Sequence, residues 1–171
     1  MSASGFDALR ALVVEDNHHM RNLLRSLLFS MGLRNVTECA SGADAFEILR
    51  DGNIDVVLTD LSMEPMDGIA FTKKVRLSDD SPNPYVPIIM VTGHTERRRV
   101  EAARDAGITE FVAKPITGQH IFMRIAEIIE RPRAFIRSTD YFGPDRRRRS
   151  ETKYNGPLRR KSDFGMRVEI K

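Results

Sequence analysis

The stretch that most constrains the fold is VVLTDLSMEPMDG, which occupies residues 56–68. It opens with consecutive apolar residues, reaches Asp60, and is then interrupted by Pro65 and Gly68. A short apolar run bounded by turn residues is typical of a buried strand. We therefore predict a parallel strand that carries the Asp60 carboxylate at its carboxyl end, where open α/β sheets bind ligands. A carboxylate there can ligate Mg²⁺ or attack a phosphoryl group, or it can cap a turn.

The rest of residues 1–130 alternates between short apolar runs and amphipathic stretches of helical period. Further strands are predicted at residues 9–14, 36–40, 87–91 and 109–113, and a helical pattern follows each strand. Five strands that alternate with five helices imply parallel pairing through right-handed crossovers. The predicted fold class is α/β, with a five-stranded, doubly wound parallel sheet of the flavodoxin type.

Polar side chains follow the ends of four of these strands. They are Glu15 and Asp16 after the first strand, Asp60 after the third, Thr92 after the fourth and Lys114 after the fifth. Each one alone could be an ordinary turn residue, but parallel strands bring their carboxyl ends to one edge of the sheet. Two adjacent carboxylates after an apolar run are costly unless they share a cation, which favours a Mg²⁺ site.

These residues, in this order, resemble the receiver domains of two-component response regulators, of the CheY type. The resemblance covers about residues 7–130 and rests on Glu15-Asp16, Asp60, residues 63–68, Thr92-Gly93 and Lys114-Pro115. It implies that Asp60 is the phosphoacceptor and that Thr92 and Lys114 bind phosphoryl oxygens. It also implies a Mg²⁺ site made of Glu15, Asp16, Asp60 and the backbone carbonyl of Ser62. A cation and donors around the phosphoryl oxygens are most of what phosphoryl transfer needs.

The same resemblance implies a switch and a set of partners. Thr92 and Phe111 would move inward on phosphorylation, although Phe111 could equally be a static core residue. A histidine kinase or a phosphotransferase would supply the phosphoryl group. Ser62 replaces the Asn that is common at its position, which affects the expected rate of dephosphorylation more than metal binding, because the metal ligand there is main chain.

Composition limits the remaining possibilities. The chain has 171 residues, 41% of them hydrophobic, and no run approaches the ~20 apolar residues of a membrane span. We expect no membrane insertion and a cytoplasmic location. The single cysteine, Cys39, excludes an internal disulfide and is expected to be inert core. No output or catalytic domain is recognisable after residue 131, so we expect no enzyme.

Charge divides the chain into two parts. Residues 1–130 carry 14 Lys and Arg against 19 Asp and Glu, whereas residues 131–171 carry 13 against 5. The predicted domains are accordingly a globular domain over 1–130 and an arginine-rich tail over 131–171. The low hydrophobicity and high charge of the tail predict disorder when it is free. We expect a ligand that neutralises the charge to order it. A basic tail of this kind meets an anion such as nucleic acid, a nucleotide, lipid or an acidic protein.

The tail contains two related units. YFGPDRRRRS at residues 141–150 is followed, 13 positions after its tyrosine, by YNGPLRRKSD at residues 154–163. Tyr, Gly-Pro and a basic triplet recur at the same offsets. The candidate ligand-binding residues are Tyr141, Asp145, Arg146, Arg147, Arg148, Arg149, Ser150, Tyr154, Arg159, Arg160, Ser162 and Asp163.

The chemistry of one unit favours a guanine nucleotide. Arginine presents a planar fork that fits the guanine O6/N7 edge or two phosphate oxygens, and it stacks on bases as tyrosine does. Asp145 and Asp163 could accept hydrogen bonds from guanine N1 and N2, and a tight bend at Gly-Pro could bring the tyrosine over the arginines. Two such units suit a compact, twofold ligand with two guanines and two phosphates.

The tail also resembles, over residues 137–164, the arginine-rich extension of a CheY-like class, the Cle proteins. This resemblance implies cyclic di-GMP (c-di-GMP) as the ligand and a flagellar motor switch protein as the partner, with recruitment to the motor. Three alternatives to this ligand remain: nonspecific nucleic-acid binding through the same arginines; membrane docking, although the tail lacks a sustained apolar face; and a phosphorelay shuttle with an idle tail.

Overall fold

The computed structural model describes residues 6–93, 96–146 and 166–168. Its elements, in chain order, are β1 Arg10–Val14, α1 His18–Ser30, β2 Asn35–Cys39, α2 Gly42–Asp51, β3 Val56–Asp60, α3 Gly68–Leu77, β4 Ile88–Thr92, α4 Arg97–Ala106, β5 Glu110–Ala113, α5 Gly118–Glu130, β6 Phe135–Ser138, β7 Tyr141–Pro144 and β8 Met166–Val168.

The first five strands form one parallel sheet in the order β2-β1-β3-β4-β5. The prediction of a five-stranded, doubly wound parallel sheet is therefore confirmed. Consecutive residues of β1 face opposite sides, with Leu12 and Val14 in one apolar cluster and Ala11 and Val13 in the other. Helices α2, α3 and α4 cover the first cluster, and α1 and α5 cover the second.

Side-chain caps start four of the helices at the edge of the sheet where the strands end. The side chains of Asn17, Ser41, Asp67 and Thr117 each accept a hydrogen bond from a backbone amide in the first turn of α1, α2, α3 and α5. Such caps satisfy amides that have no partner within the helix. They fix the helix starts beside the loops that carry the predicted site.

The structure differs from the prediction in the tail. Strands β6 and β7 form an antiparallel hairpin, residues 135–144, and β8 pairs antiparallel with the other edge of β6. The prediction that the free chain is disordered from residue 131 is wrong for this hairpin. The reason is that Phe135, Tyr141 and Phe142 are buried, and burial of large apolar side chains offsets the entropy lost on ordering. Residues 147–165 lie outside the described part.

The hairpin packs on α3, α4 and the turn between α4 and β5. The rings of Phe135 and Phe142 lie 5.3 and 5.1 Å from the ring of Tyr85. Gly107, in the α4–β5 turn, has a φ of +98°, and a Cβ there would lie 2.7 Å from the Phe142 carbonyl oxygen. The two backbones therefore touch directly, and only a residue without a side chain fits between them.

A buried arginine lies beneath the hairpin. Arg76, on α3, is 2% exposed. Its Nε donates to the Gly107 carbonyl at 2.9 Å, its Nη1 donates to the Pro84 carbonyl at 2.7 Å, and its guanidinium lies 5.1 Å from the Phe135 ring centre. Burial lowers the pKa of Arg76 to about 9. Arg76 thus connects the loop before β4 to the α4–β5 turn and to the hairpin.

No helix in the described ranges is both long and apolar enough to cross a bilayer.

Candidate functional site

The Asp60 carboxylate is held in one orientation at the carboxyl end of β3. The residue is 5% exposed. Its Oδ1 accepts a hydrogen bond from Lys114 Nζ at 2.8 Å, and its Oδ2 accepts one from the Ser62 backbone amide at 2.9 Å. Lys114 follows β5, and Ser62 lies in the loop after β3, so the parallel sheet brings these groups together as predicted.

Glu15 is the second buried carboxylate of this edge, at 2% exposure. Its Oε1 accepts from the Asn17 amide at 3.2 Å, whereas its Oε2 has no hydrogen-bond partner among the described residues and lies 3.6 Å from Lys114 Nζ. Burial and the nearby charge of Asp60 raise the pKa of Glu15, and Lys114 only partly opposes them. The site therefore contains more negative charge than its one lysine compensates.

Lys114 is the cation that the structure places between the two carboxylates. Although burial opposes it, the hydrogen bond to Asp60 and the charges of Asp60 and Glu15 raise the pKa of Lys114. The ammonium group therefore stays charged at neutral pH.

The predicted magnesium ligands are only partly assembled. Asp16 is next to Glu15 but exposed, and within the described ranges no three His, Cys, Asp or Glu side chains are already arranged around a metal position. The chemistry of the set nevertheless fits a hard cation, because carboxylate oxygens are preferred Mg²⁺ ligands and Glu15 Oε2 is a buried acceptor without a hydrogen bond. The role of the Ser62 carbonyl stays a prediction.

The predicted switch pair lies on β4 and β5. Thr92 ends β4, is 5% exposed, and its carbonyl accepts from the Lys114 amide at 2.9 Å. Phe111 is half-buried, and its carbonyl accepts from Arg124 Nε at 3.0 Å. Thr92 therefore lies at the Asp60 edge, and Phe111 lies further back on β5, toward α4 and the hairpin. Their inward movement stays a prediction.

Three of the predicted tail residues are described. The Tyr141 ring is 6% exposed, its hydroxyl donates to the Pro144 carbonyl at 2.8 Å, and the Arg146 guanidinium lies 4.3 Å from the ring centre. Arg146 Nη1 also lies 2.8 Å from Asp105 Oδ1 on α4. The Asp145 amide donates to the Ala134 carbonyl at 2.7 Å.

The aromatic and guanidinium groups of the first unit therefore stack, but not by the predicted bend. Gly143 and Pro144 belong to strand β7, opposite Ile136 and Phe135, so the prediction of a tight turn at Gly-Pro is wrong for the first unit. The other predicted ligand residues lie outside the described part of the chain: Arg147, Arg148, Arg149, Ser150, Tyr154, Arg159, Arg160, Ser162 and Asp163.

A further charged cluster was missed from the sequence. Glu110 is 3% exposed, and both Arg124 and Arg133 form ion pairs with it, with Arg124 Nη1 at 3.6 Å. Arg133 Nη2 also donates to the Thr109 carbonyl at 2.7 Å. Glu110 begins β5, so this cluster and the hairpin lie at the sheet edge opposite Asp60. The sequence signal for this cluster was a glutamate inside a predicted buried strand, residues 109–113.

Comparison with known proteins covers the α/β domain. The model of the response regulator receiver domain matches residues 11–126. The chain is 34% identical over 123 residues to the chemotaxis protein CheY of Pseudomonas aeruginosa, which covers 72% of this chain and 98% of that protein. It is 30% identical over 123 residues to chemotaxis protein CheY-3 of Vibrio cholerae, with 72% and 93% covered.

Solved structures share the fold. The receiver domain of the histidine kinase CKI1 from Arabidopsis thaliana, complexed with Mg²⁺ and BeF₃⁻, aligns with a TM-score of 0.64 at 27% identity, covering 73% of this chain and 93% of that one. The chemotaxis protein CheY4 of Vibrio cholerae aligns with a TM-score of 0.64 at 25% identity, covering 70% and 98%. With its sheet order and with Asp60, Thr92 and Lys114 at one sheet edge, this chain belongs to the response regulator receiver domain family, of the CheY type.

Proposed function

We propose that the receiver domain accepts a phosphoryl group on Asp60. The observation that carries this proposal is the orientation of the Asp60 carboxylate, with one oxygen on Lys114 Nζ and the other on the Ser62 amide. An Asp60 oxygen would form a bond to phosphorus as the bond between phosphorus and its donor breaks. Lys114 would then neutralise phosphoryl oxygens, because its ammonium group already lies 2.8 Å from Asp60.

Magnesium is the cofactor that this proposal requires. Glu15, Asp16, Asp60 and the Ser62 carbonyl would hold it, and when bound it supplies positive charge to the phosphoryl oxygens. Glu15 Oε2, which accepts no hydrogen bond from any described residue, and the raised pKa of Glu15 support this assignment. The phosphoryl donor would be a histidine kinase or a phosphotransferase.

Phosphorylation is tested by incubating the full chain with acetyl phosphate and MgCl₂ and separating the products on phosphate-affinity gels. We expect a shifted band that disappears in Asp60→Asn and after chelation of Mg²⁺ with EDTA. Asp51→Asn, an exposed carboxylate on α2, is the matched control and should be phosphorylated as the wild type is. Equal labelling of Asp60→Asn and wild type would refute the assignment.

We further propose that the arginine-rich tail binds cyclic di-GMP. The observation that carries this second proposal is the duplicated Tyr-x-Gly-Pro unit with its basic triplet, 13 residues apart. The stacking of Arg146 on Tyr141 at 4.3 Å supports it, because a guanidinium and an aromatic ring held together can clamp a guanine and a phosphate. The resemblance of the tail to that of the Cle class is a further support.

The partner in this proposal is a flagellar motor switch protein, and the outcome is control of motility and surface attachment. The relatives named as chemotaxis proteins support this choice. The docking face would be formed by α4, β5 and α5 around Phe111. The receiver would act as the platform and not as an enzyme, and the protein would be cytoplasmic and recruited to the motor.

Calorimetry on the full chain tests nucleotide binding. We expect saturable binding of cyclic di-GMP that is abolished by Arg147→Ala or Tyr154→Ala and preserved in Arg131→Ala, an exposed arginine outside both units. Equal affinity for a random oligonucleotide, with a steep salt dependence, would support nonspecific nucleic-acid binding instead. Binding only to anionic vesicles would support membrane docking.

Partner binding needs a separate test. Capture of the purified motor switch protein by the full chain is expected to rise when cyclic di-GMP is added and to be lost when residues 131–171 are removed. Capture that is unchanged by both treatments would refute the coupling.

A further inference from the structure

A cavity of about 370 Å³ lies between the receiver and the first tail unit. Val100 and Arg104 of α4 and Phe111 of β5 form the receiver side, and Tyr141 and Arg146 form the tail side. Its volume falls within the range of about 300–1,000 Å³ that encloses small-molecule ligands. The cavity exists only because the hairpin is docked.

The walls of this cavity are positively charged. Three guanidinium groups line it, those of Arg104, Arg133 and Arg146, whereas Glu110 is its one acidic wall residue. Arg133 is neutralised by Glu110, and Arg146 is paired with Asp105. In the described ranges Arg104 forms no ion pair, so its charge remains available to an anion.

One hydrogen-bond donor in the wall, Arg146 Nε, is buried and has no acceptor among the described residues. A buried donor without an acceptor costs free energy that a ligand oxygen would recover. The same side chain lies over Tyr141, so the unpartnered donor is next to an aromatic wall.

We propose that this cavity binds one guanine nucleotide unit of the tail's ligand, with Arg104 as a phosphate contact supplied by the receiver. This inference rests on the proposed binding of cyclic di-GMP and adds that the receiver is part of the nucleotide site. Arg146 donates to the nucleotide, and Tyr141 and Phe111 supply apolar contacts to the base. Because Phe111 is also a predicted switch residue, the nucleotide touches the element through which Asp60 would act.

The test is calorimetry with cyclic di-GMP on the full chain, comparing Arg104→Ala with Arg98→Ala. Both residues are exposed arginines on α4, and only Arg104 lines the cavity. Arg104→Ala is expected to bind cyclic di-GMP roughly tenfold more weakly than wild type, because it loses one charge-assisted contact. Arg98→Ala should bind within about twofold of wild type, because it removes the same charge from the same helix outside the cavity.

The results separate the two proposals. Normal binding by Arg104→Ala while wild type binds tightly overturns the receiver contribution and leaves the tail as the whole site. An equal loss of affinity for cyclic di-GMP in both variants also overturns the receiver contribution, because such a result reflects only the net charge of α4. No binding by wild type overturns the tail proposal and this one together.

A measurement without substitution checks the same point. In amide NMR spectra of the full chain, cyclic di-GMP is expected to shift the resonances of Ile108, Thr109 and Phe111, which belong to the receiver wall. Shifts confined to residues after 140 would contradict the inference.

Discussion

Substitution of Gly107 by alanine tests whether the hairpin is docked on the receiver in solution. Gly107 has a φ of +98°, and its added Cβ would lie 2.7 Å from the Phe142 carbonyl oxygen. Gly32 has nearly the same φ, +97°, but a Cβ there meets nothing within 4 Å. The two variants therefore share the backbone penalty and differ in what the added Cβ meets, which at Gly107 is the hairpin backbone and, at 3.1 Å, Cγ of Arg76.

The structure gives the expected magnitudes. Alanine in the left-handed region costs about 1–2 kcal/mol, which is all that Gly32→Ala should lose. In Gly107→Ala the hairpin backbone must also move away, which exposes Phe135 and Phe142. Full burial of one such ring contributes about 1.5–3 kcal/mol, so losing half of the burial of both rings adds about 1.5–3 kcal/mol.

Two assays on the full chain measure the difference. Urea unfolding followed by circular dichroism gives the free energy of unfolding, and hydrogen exchange reports on the hairpin amides of Ile136 and Gly143, which face each other in a hydrogen-bonded pair. We expect Gly107→Ala to be the less stable variant and to exchange these amides faster, with slow exchange kept in Gly32→Ala. Equal stability losses together with unchanged exchange would refute the docking.

Three further predictions concern the Asp60 edge and the core. Burial and Asp60 raise the pKa of Glu15 above its ordinary value of 4.5, so the folded state binds this proton more tightly and its stability falls as pH rises from 4.5 through the raised pKa. Without metal, Glu15→Gln should therefore raise the melting temperature at pH 7 but not at pH 4. An equal gain at both pH values would contradict this explanation. Lys114→Met should leave the fold intact and slow phosphorylation by acetyl phosphate by roughly 10²-fold, as measured on phosphate-affinity gels, because it removes the ammonium group beside Asp60; an unchanged rate would exclude that role. Burial raises the pKa of Cys39 to about 11, so a disulfide reagent should label this thiol at pH 8 only after urea unfolding, and rapid labelling of the native chain would show that the core is open there.

The sheet and its functional edge were predictable because they follow from patterns that are local in the sequence. A continuous apolar run such as residues 56–58 indicates a buried strand, and strand ends converge by topology alone. Asp60 and Lys114 are 54 positions apart, yet their contact follows from the parallel order of β3, β4 and β5.

The hairpin was missed because its apolar residues are few and lie among charges. Phe135-Ile136 and Tyr141-Phe142 are separated by Arg-Ser-Thr-Asp, which is a hairpin signal at short range, but hydrophobicity averaged over the tail hides it. Arg76 was missed for a related reason: an arginine at the end of a helix indicates an exposed residue unless its acceptors are known. Those acceptors, the carbonyls of Gly107 and Pro84, are brought to it only by tertiary packing.

Strand β6 has β7 on one edge and β8 on the other. Because β7 and β8 flank β6, these two strands lie two strand spacings, about 10 Å, apart. The second unit and most of the first unit's basic cluster fall between the two strands in the sequence. Part of the entropy of bringing β7 and β8 together is therefore lost when the small sheet forms, and a ligand that binds the basic units does not have to compensate for that part again.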